Sequence, residues 1–160
     1  MTTPAVTLAP VPLAEKAALW AMMADYLIEH AALADPEGRY DPLEYEYFDA
    51  YWVEPDRRPC WIEADGARAG FVLMNTWSPS GLGTQHSIAE FCVLKAQRRH
   101  GVGRAAATAA LRSRRGQWEL QVYRANLGGM AFWPRAIATA GAVSHEVIER
   151  EDRLIHRFQI

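Results

Sequence analysis

The 160 residues carry 17 Lys and Arg against 19 Asp and Glu, for a net charge of −2, and half of them are hydrophobic. That size and balance suit one domain over residues 1–160 with a single core, and they exclude a disordered chain. The apolar run at 17–23 is far too short to cross a bilayer, and no basic segment precedes an apolar one at the N-terminus, so neither a membrane partner nor a signal peptide is expected and the cytoplasm is the expected compartment.

Residues 5–9 suit a short first strand, closed by Pro10 and Pro12, with Pro12 placed for the first turn of a helix. Leu13, Ala17, Trp20, Ala24, Leu27, Ile28 and Ala31 then recur at helical spacing through Ala32. After a turn-rich loop, Asp41-Pro42-Leu43-Glu44 has the composition of a capped helix start, and the spacing predicts a second helix to about Val53. Phe48 and Trp52 are expected to pack. Tyr40, Tyr45 and Tyr47 alternate with acids and suit either packing or the lining of a binding surface.

Residues 58–64 and 67–77 form a predicted hairpin around Asp65-Gly66. Residues 87–94 follow as a strand, 101–115 as an Ala-rich helix with arginines at its negative end, Gln117–Tyr123 as a strand and 128–140 as a last helix. Two strands, 143–148 and 154–160, close the chain, and they could pair across a homodimer. Cys60 and Cys92 sit in strand-like apolar contexts that favour buried reduced thiols over a disulfide, and no metal-ligand spacing appears among the five His and two Cys.

The most informative stretch is 87–104, where an apolar strand runs through a basic turn into Gly101-Val102-Gly103 and the helix. Glycines permit close approach of the backbone, and the first helical N–H groups have no partner inside the helix, so the turn suits a phosphate. Gly101-Val102-Gly103-Arg104-Ala105-Ala106 also reads as a dinucleotide fingerprint, which would make the chain a nicotinamide-dependent oxidoreductase. That fingerprint wants its first glycine directly after the strand, and here residues 95–100 intervene. An ordinary strand-to-helix turn is the remaining alternative.

Arg98-Arg99-His100-Gly101-Val102-Gly103 matches R/Q-x-x-G-x-G/A, and with this turn placed after a strand the chain resembles the GNAT-type N-acetyltransferases. The resemblance covers essentially the whole order of elements, although only 87–141 carries motifs. It implies a mixed α/β fold with a twisted sheet of about seven strands flanked by about four helices. It implies acetyl-CoA as co-substrate, with no metal. The pyrophosphate would lie on the turn formed by Arg98, Arg99, His100, Gly101, Val102, Gly103 and Arg104. Phe91, Cys92, Val93 and Leu94 would pair with the pantetheine, and a backbone N–H there would steady the oxyanion of acyl transfer.

Family members usually carry an Asn after the fifth strand and a Tyr seven residues later. Asn126 fits the first, as a contact to the cofactor arm or as a helix cap. Trp133 stands where the Tyr would be. It suits the cofactor wall, but an indole N–H does not give up its proton, so it is not the acid that protonates the leaving thiolate. Tyr123 is the nearby substitute donor.

Glu90 lies mid-strand, where simple alternation sets it on one face with Ile88 and Cys92 and sets Ala89, Phe91 and Val93 on the other. A buried carboxylate there is either the base that takes the amine proton or a structural ion-pair partner. His86 is a second base, a substrate contact or a loop residue facing solvent. Seven basic and no acidic residues lie in 95–115, whereas 25–56 holds ten acidic residues and one basic. The first suits a polyanion and the second a cationic small-molecule or peptide amine. Without aromatics among the basic run, nucleic acid is not an expected partner. The expected activity is acetyl transfer from acetyl-CoA to a primary amine, the alternative being a non-catalytic acyl-CoA sensor.

Overall fold

The computed structural model describes residues 2–160. Four antiparallel strands, β1 (Val6–Pro10), β2 (Arg58–Ala64), β3 (Ala67–Asn75) and β4 (His86–Val93), make one half of a seven-stranded sheet. The other half is β5 (Gln117–Tyr123), β6 (Val143–Glu149) and β7 (Arg153–Gln159), in the order β5-β7-β6. The halves meet in a single parallel pairing of β4 with β5, at His86↔Trp118 and Ser87↔Glu119 only. Beyond those two rungs the strands part.

Three α-helices cover the sheet: α1 (Lys16–Ala34), α2 (Val102–Arg112) and α3 (Leu127–Thr139). On one face α1 sets Leu19, Met23 and Leu27 against Trp61, Phe71, Leu73 and Cys92. Burying each of those three side chains contributes roughly 1.5–3 kcal/mol. On the other face α2 and α3 pack on Ile62, Val72, Met74, Trp118, Leu120 and Phe158. Cys60 belongs to this second cluster and Cys92 to the first, so the sheet separates the two thiols, and both are free.

The buried stripe of α1 is not the one its spacing suggests. Leu27 is common to both, but Leu13 and Ile28 are exposed and Leu19 and Met23 are buried. With alanine on every side of this helix, apolar spacing does not single out one face.

No α-helix forms over 41–53. Asp41 Oδ1 accepts from Leu43 N–H at 2.9 Å, a local turn that competes with helix, and only a 3-10 turn at Asp49–Trp52 follows. The aromatic side chains here are held one by one: Trp52 Nε1 donates to Val11 O at 2.9 Å, and Asn75 Nδ2 donates to the Tyr51 hydroxyl at 3.0 Å. Three α-helices and short 3-10 turns thus stand in place of the four helices expected. The Asp65-Gly66 hairpin forms with φ of 50° and 80°, the left-handed pair that a two-residue turn of this twist requires.

Candidate functional site

The parting of β4 from β5 leaves backbone groups of β4 without a strand partner. Leu94 N–H donates to Ala69 O at 2.8 Å, which fixes the phase of the β3–β4 ladder. Leu94, Cys92 and Glu90 turn their backbone groups to β3, and antiparallel alternation turns those of Phe91 and Val93 into the gap. The Val93 carbonyl is taken by Arg98 Nε at 2.7 Å.

A bulge at Ala89 corrects the expected sidedness of β4. The register passes from Leu73↔Glu90 to Met74↔Ile88, leaving Ala89 unpaired. Ile88 therefore packs with Phe91 and Val93 beside α2 and α3, while Ala89 joins Cys92 on the α1 face. Glu90 points to that same face. Its carboxylate accepts from the Tyr26 hydroxyl at 2.7 Å and the Tyr45 hydroxyl at 3.2 Å. Burial pushes its pKa up to about 7, and the two hydroxyl bonds pull the other way.

After β4 the chain makes a 3-10 turn, and Arg99 takes a left-handed φ of 67°. For a residue with a Cβ that conformation is costly, and such strain gathers at functional turns. Gly101 follows at φ 81°, and α2 begins with no side chain capping it. Its first turn, contributing Gly101, Gly103 and Arg104, lines a cavity of about 1050 Å³, at the upper end of the range for ligand sites. Phe91, Cys92 and Val93 of β4, Arg98 and Arg99, and Asn126, Phe132, Trp133 and Arg135 also line it. Trp133 is packed edge-to-face on Phe91 and on Phe132, which makes the wall aromatic. Burial raises the Cys92 thiol to about 11, so it stays protonated at neutral pH.

The turn residues thus line the cavity except for His100, Val102 and Leu94: Val102 is fully buried in the core, and the Leu94 N–H is already spent on Ala69. Asn126 lines the cavity and caps α3, its Oδ1 accepting from Gly129 N–H at 2.9 Å. Pro134 stands inside α3 without ending it.

The remaining residues singled out from sequence are dispersed. Tyr45 reaches Glu90, but Tyr40 is 76% exposed and Tyr47 is 55% exposed beneath the Arg57 guanidinium. His86 packs at a tilt against Trp118 and bonds Arg115 O at the joined end of β4 and β5. Tyr123 ends β5 under the Arg153 guanidinium and edge-on to His30.

The acetyltransferase (GNAT) family model matches residues 23–137. The chain belongs to the acetyltransferase (GNAT) family. No curated protein sequence matches this acetyltransferase significantly. Solved structures share its fold at low identity. An acetyltransferase from Thermus thermophilus is 17% identical over the whole of both chains, with a TM-score of 0.67. A GNAT acetyltransferase from Streptococcus agalactiae is 9% identical over 97% of this chain and 95% of its own, with a TM-score of 0.68. The PaiA N-acetyltransferase of Thermoplasma acidophilum, solved in complex with coenzyme A, is 12% identical over 98% and 99%, with a TM-score of 0.59.

Sequence reasoning missed one wall of the acetyltransferase's cavity. Tyr26, Glu29, His30 and Leu33 of α1 all line it, and the Tyr26 and His30 rings stack at 5.3 Å. Their spacing of three, four and seven marks one helical face, a signal present in the sequence but hidden by the surrounding alanines.

Proposed function

We propose that this acetyltransferase moves an acetyl group from acetyl-CoA to the primary amine of a cationic acceptor, with Glu90 taking the amine proton. The observation that carries the proposal is the state of Glu90. A carboxylate brought up to about 7 and held by two tyrosine hydroxyls is matched to proton abstraction near neutral pH.

The site fits the co-substrate in three respects. The uncapped start of α2, with Gly101 in a conformation that favours glycine, offers N–H groups to a pyrophosphate. The Phe91 and Val93 N–H groups face the gap, where they would hold an extended amide arm and the developing oxyanion. Trp133, Phe91 and Phe132 keep water from the arm, and Asn126 lines the same cavity. When bound, acetyl-CoA supplies a thioester activated for attack.

For the proton that returns to the thiolate, Tyr123 remains the proposed donor. It ends β5 on the bank opposite β4, against the His30 ring that lines the cavity. A thiol of ordinary acidity, pKa about 8.5, needs little help in leaving. The acceptor would approach over 40–52, because Tyr45 ties this acidic segment to Glu90. Tyr40 and Tyr47 stand at its exposed rim, a surface suited to an ammonium group.

Two measurements test this. Calorimetry should find acetyl-CoA binding that Gly101→Asp abolishes, since Asp adds both strain at φ 81° and negative charge beside the cradle. A screen of amines should then find transfer that Glu90→Gln lowers by about 10²-fold or more. Unchanged transfer by Glu90→Gln to every amine accepted by the wild type would remove Glu90 as the base.

A further inference from the structure

A hydroxyl beside a carboxylate can give it a proton or take one from it, and only the first favours the charged form that a base needs. For Glu90 the choice is made one layer out, at the end of β3. Asn75 is 8% exposed and uses both ends of its amide. Its Oδ1 accepts from the Trp77 backbone N–H at 3.0 Å, and its Nδ2 donates to the Tyr51 hydroxyl at 3.0 Å. A backbone N–H has only a proton to give, so the amide cannot turn round without losing that bond. The Tyr51 oxygen therefore receives from Asn75.

The Tyr51 proton needs an acceptor elsewhere. The Arg57 guanidinium, 5.4 Å from the Tyr51 ring, has none to offer, and its charge is met by Glu54 at 2.6 Å. The neighbouring acceptor is the Tyr45 hydroxyl. Tyr45 in turn donates to Glu90 Oε1 at 3.2 Å. Burial pushes the Tyr45 and Tyr51 hydroxyls up, so both keep their protons to donate. The donors thus all point one way, from Asn75 through Tyr51 and Tyr45 to the carboxylate. A protonated Glu90 donating to Tyr45 would reverse them. That would leave the Tyr51 proton, between an amide NH₂ and a guanidinium, without an acceptor.

We propose that Asn75 and Tyr51 are positioning residues for the base: together they aim the Tyr45 hydroxyl at Glu90 and hold the carboxylate in its charged form. The proposal rests on the assignment of Glu90 above and deepens it. The other groups around this carboxylate have no link to Asn75. Tyr26 of α1 donates to Oε2, with the His30 ring stacked on its own. Cys92, on the same strand, is a thiol that burial keeps protonated. Among the described residues, only the Tyr26 and Tyr45 hydroxyls bond the Glu90 carboxylate.

Carbon-13 NMR of the Glu90 carboxyl, identified by its absence in Glu90→Gln, follows the proton directly and needs no acceptor amine. In the wild type this carboxyl should titrate at about 7. Asn75→Leu and Tyr51→Phe should each raise the midpoint by about 0.5 pH unit. The double variant should raise it no further than Tyr51→Phe alone, because both residues act through one hydroxyl. Asn75→Asp, which takes the Tyr51 proton instead of donating to it, should raise the midpoint by about 1 pH unit. A role in packing alone would lower the denaturant midpoint and leave the titration in place. Should Asn75→Leu fail to fold by circular dichroism, Tyr51→Phe carries the test. An unmoved titration in the folded variants overturns the inference and leaves Glu90 as the proposed base. A wild-type Glu90 that titrates in the ordinary carboxylate range overturns both.

Discussion

Glu90 is where a single residue's surroundings decide its chemistry. Burial raises its pKa to about 7, while hydroxyl bonds from Tyr26 and Tyr45 stabilise the charged form and lower it. A base acts in its deprotonated form, so transfer should rise with pH through about 7 and level off above. Tyr26→Phe removes the 2.7 Å bond and should move that midpoint upward by about 1 pH unit. Tyr45→Phe should shift it the same way and by less, its bond being 3.2 Å. A pH–rate profile of each variant measures this; a midpoint that stays put or falls would show that the hydroxyls do not stabilise the carboxylate. Glu90 was legible as an acid in the wrong place for an acid. Tyr26 was not, because a lone Tyr on an alanine-rich helix carries no mark of the strand it will face.

Among the elements, the strands were the most legible, and β5 has the bounds that its alternation gives. What pattern alone missed came from backbone irregularity. The bulge at Ala89 inverts the sidedness of the first half of β4, and no residue type announces it. Residues 41–53 carry helix-start signals, yet Asp41 spends its side chain on a local turn and the aromatics find separate partners.

The loop between β3 and β4 is pinned by a group that was equally silent in the sequence. Glu119 on β5 is fully buried and accepts from Ser78, Ser80 and Arg157. Arg157→Ala would leave that carboxylate without its cation and should cost about 3–5 kcal/mol, read as a lower denaturant midpoint with unchanged slope. On the edge pair, His156 of β7 is 2% exposed and 2.9 Å from His145 of β6. Burial, and then His145, push His156 down to about 4, whereas an unfolded His titrates near 6.5. Between those values the unfolded chain takes up the proton and the folded chain does not, so stability present above about 6.5 is lost as pH falls toward 4. The loss is on the order of 3 kcal/mol. Thermal melts across this range should show His156→Gln with the shallower acid decline.

For the whole molecule, the segregation of charge along the sequence was the legible feature, and it survives folding. The acidic segment comes to Glu90 through Tyr45, while the basic one comes to the cavity through the first turn of α2. The wall contributed by α1 was hidden, since it depends on which face of that helix the sheet selects. The two halves of the sheet share only two rungs, at His86↔Trp118 and Ser87↔Glu119. A ligand arm lying along Phe91 and Val93 would therefore serve as a rung that the chain itself does not supply. The protein would be most nearly complete when loaded, its melting temperature rising with the logarithm of coenzyme concentration and the amide hydrogens of Phe91 and Val93 passing from fast to slow exchange with solvent.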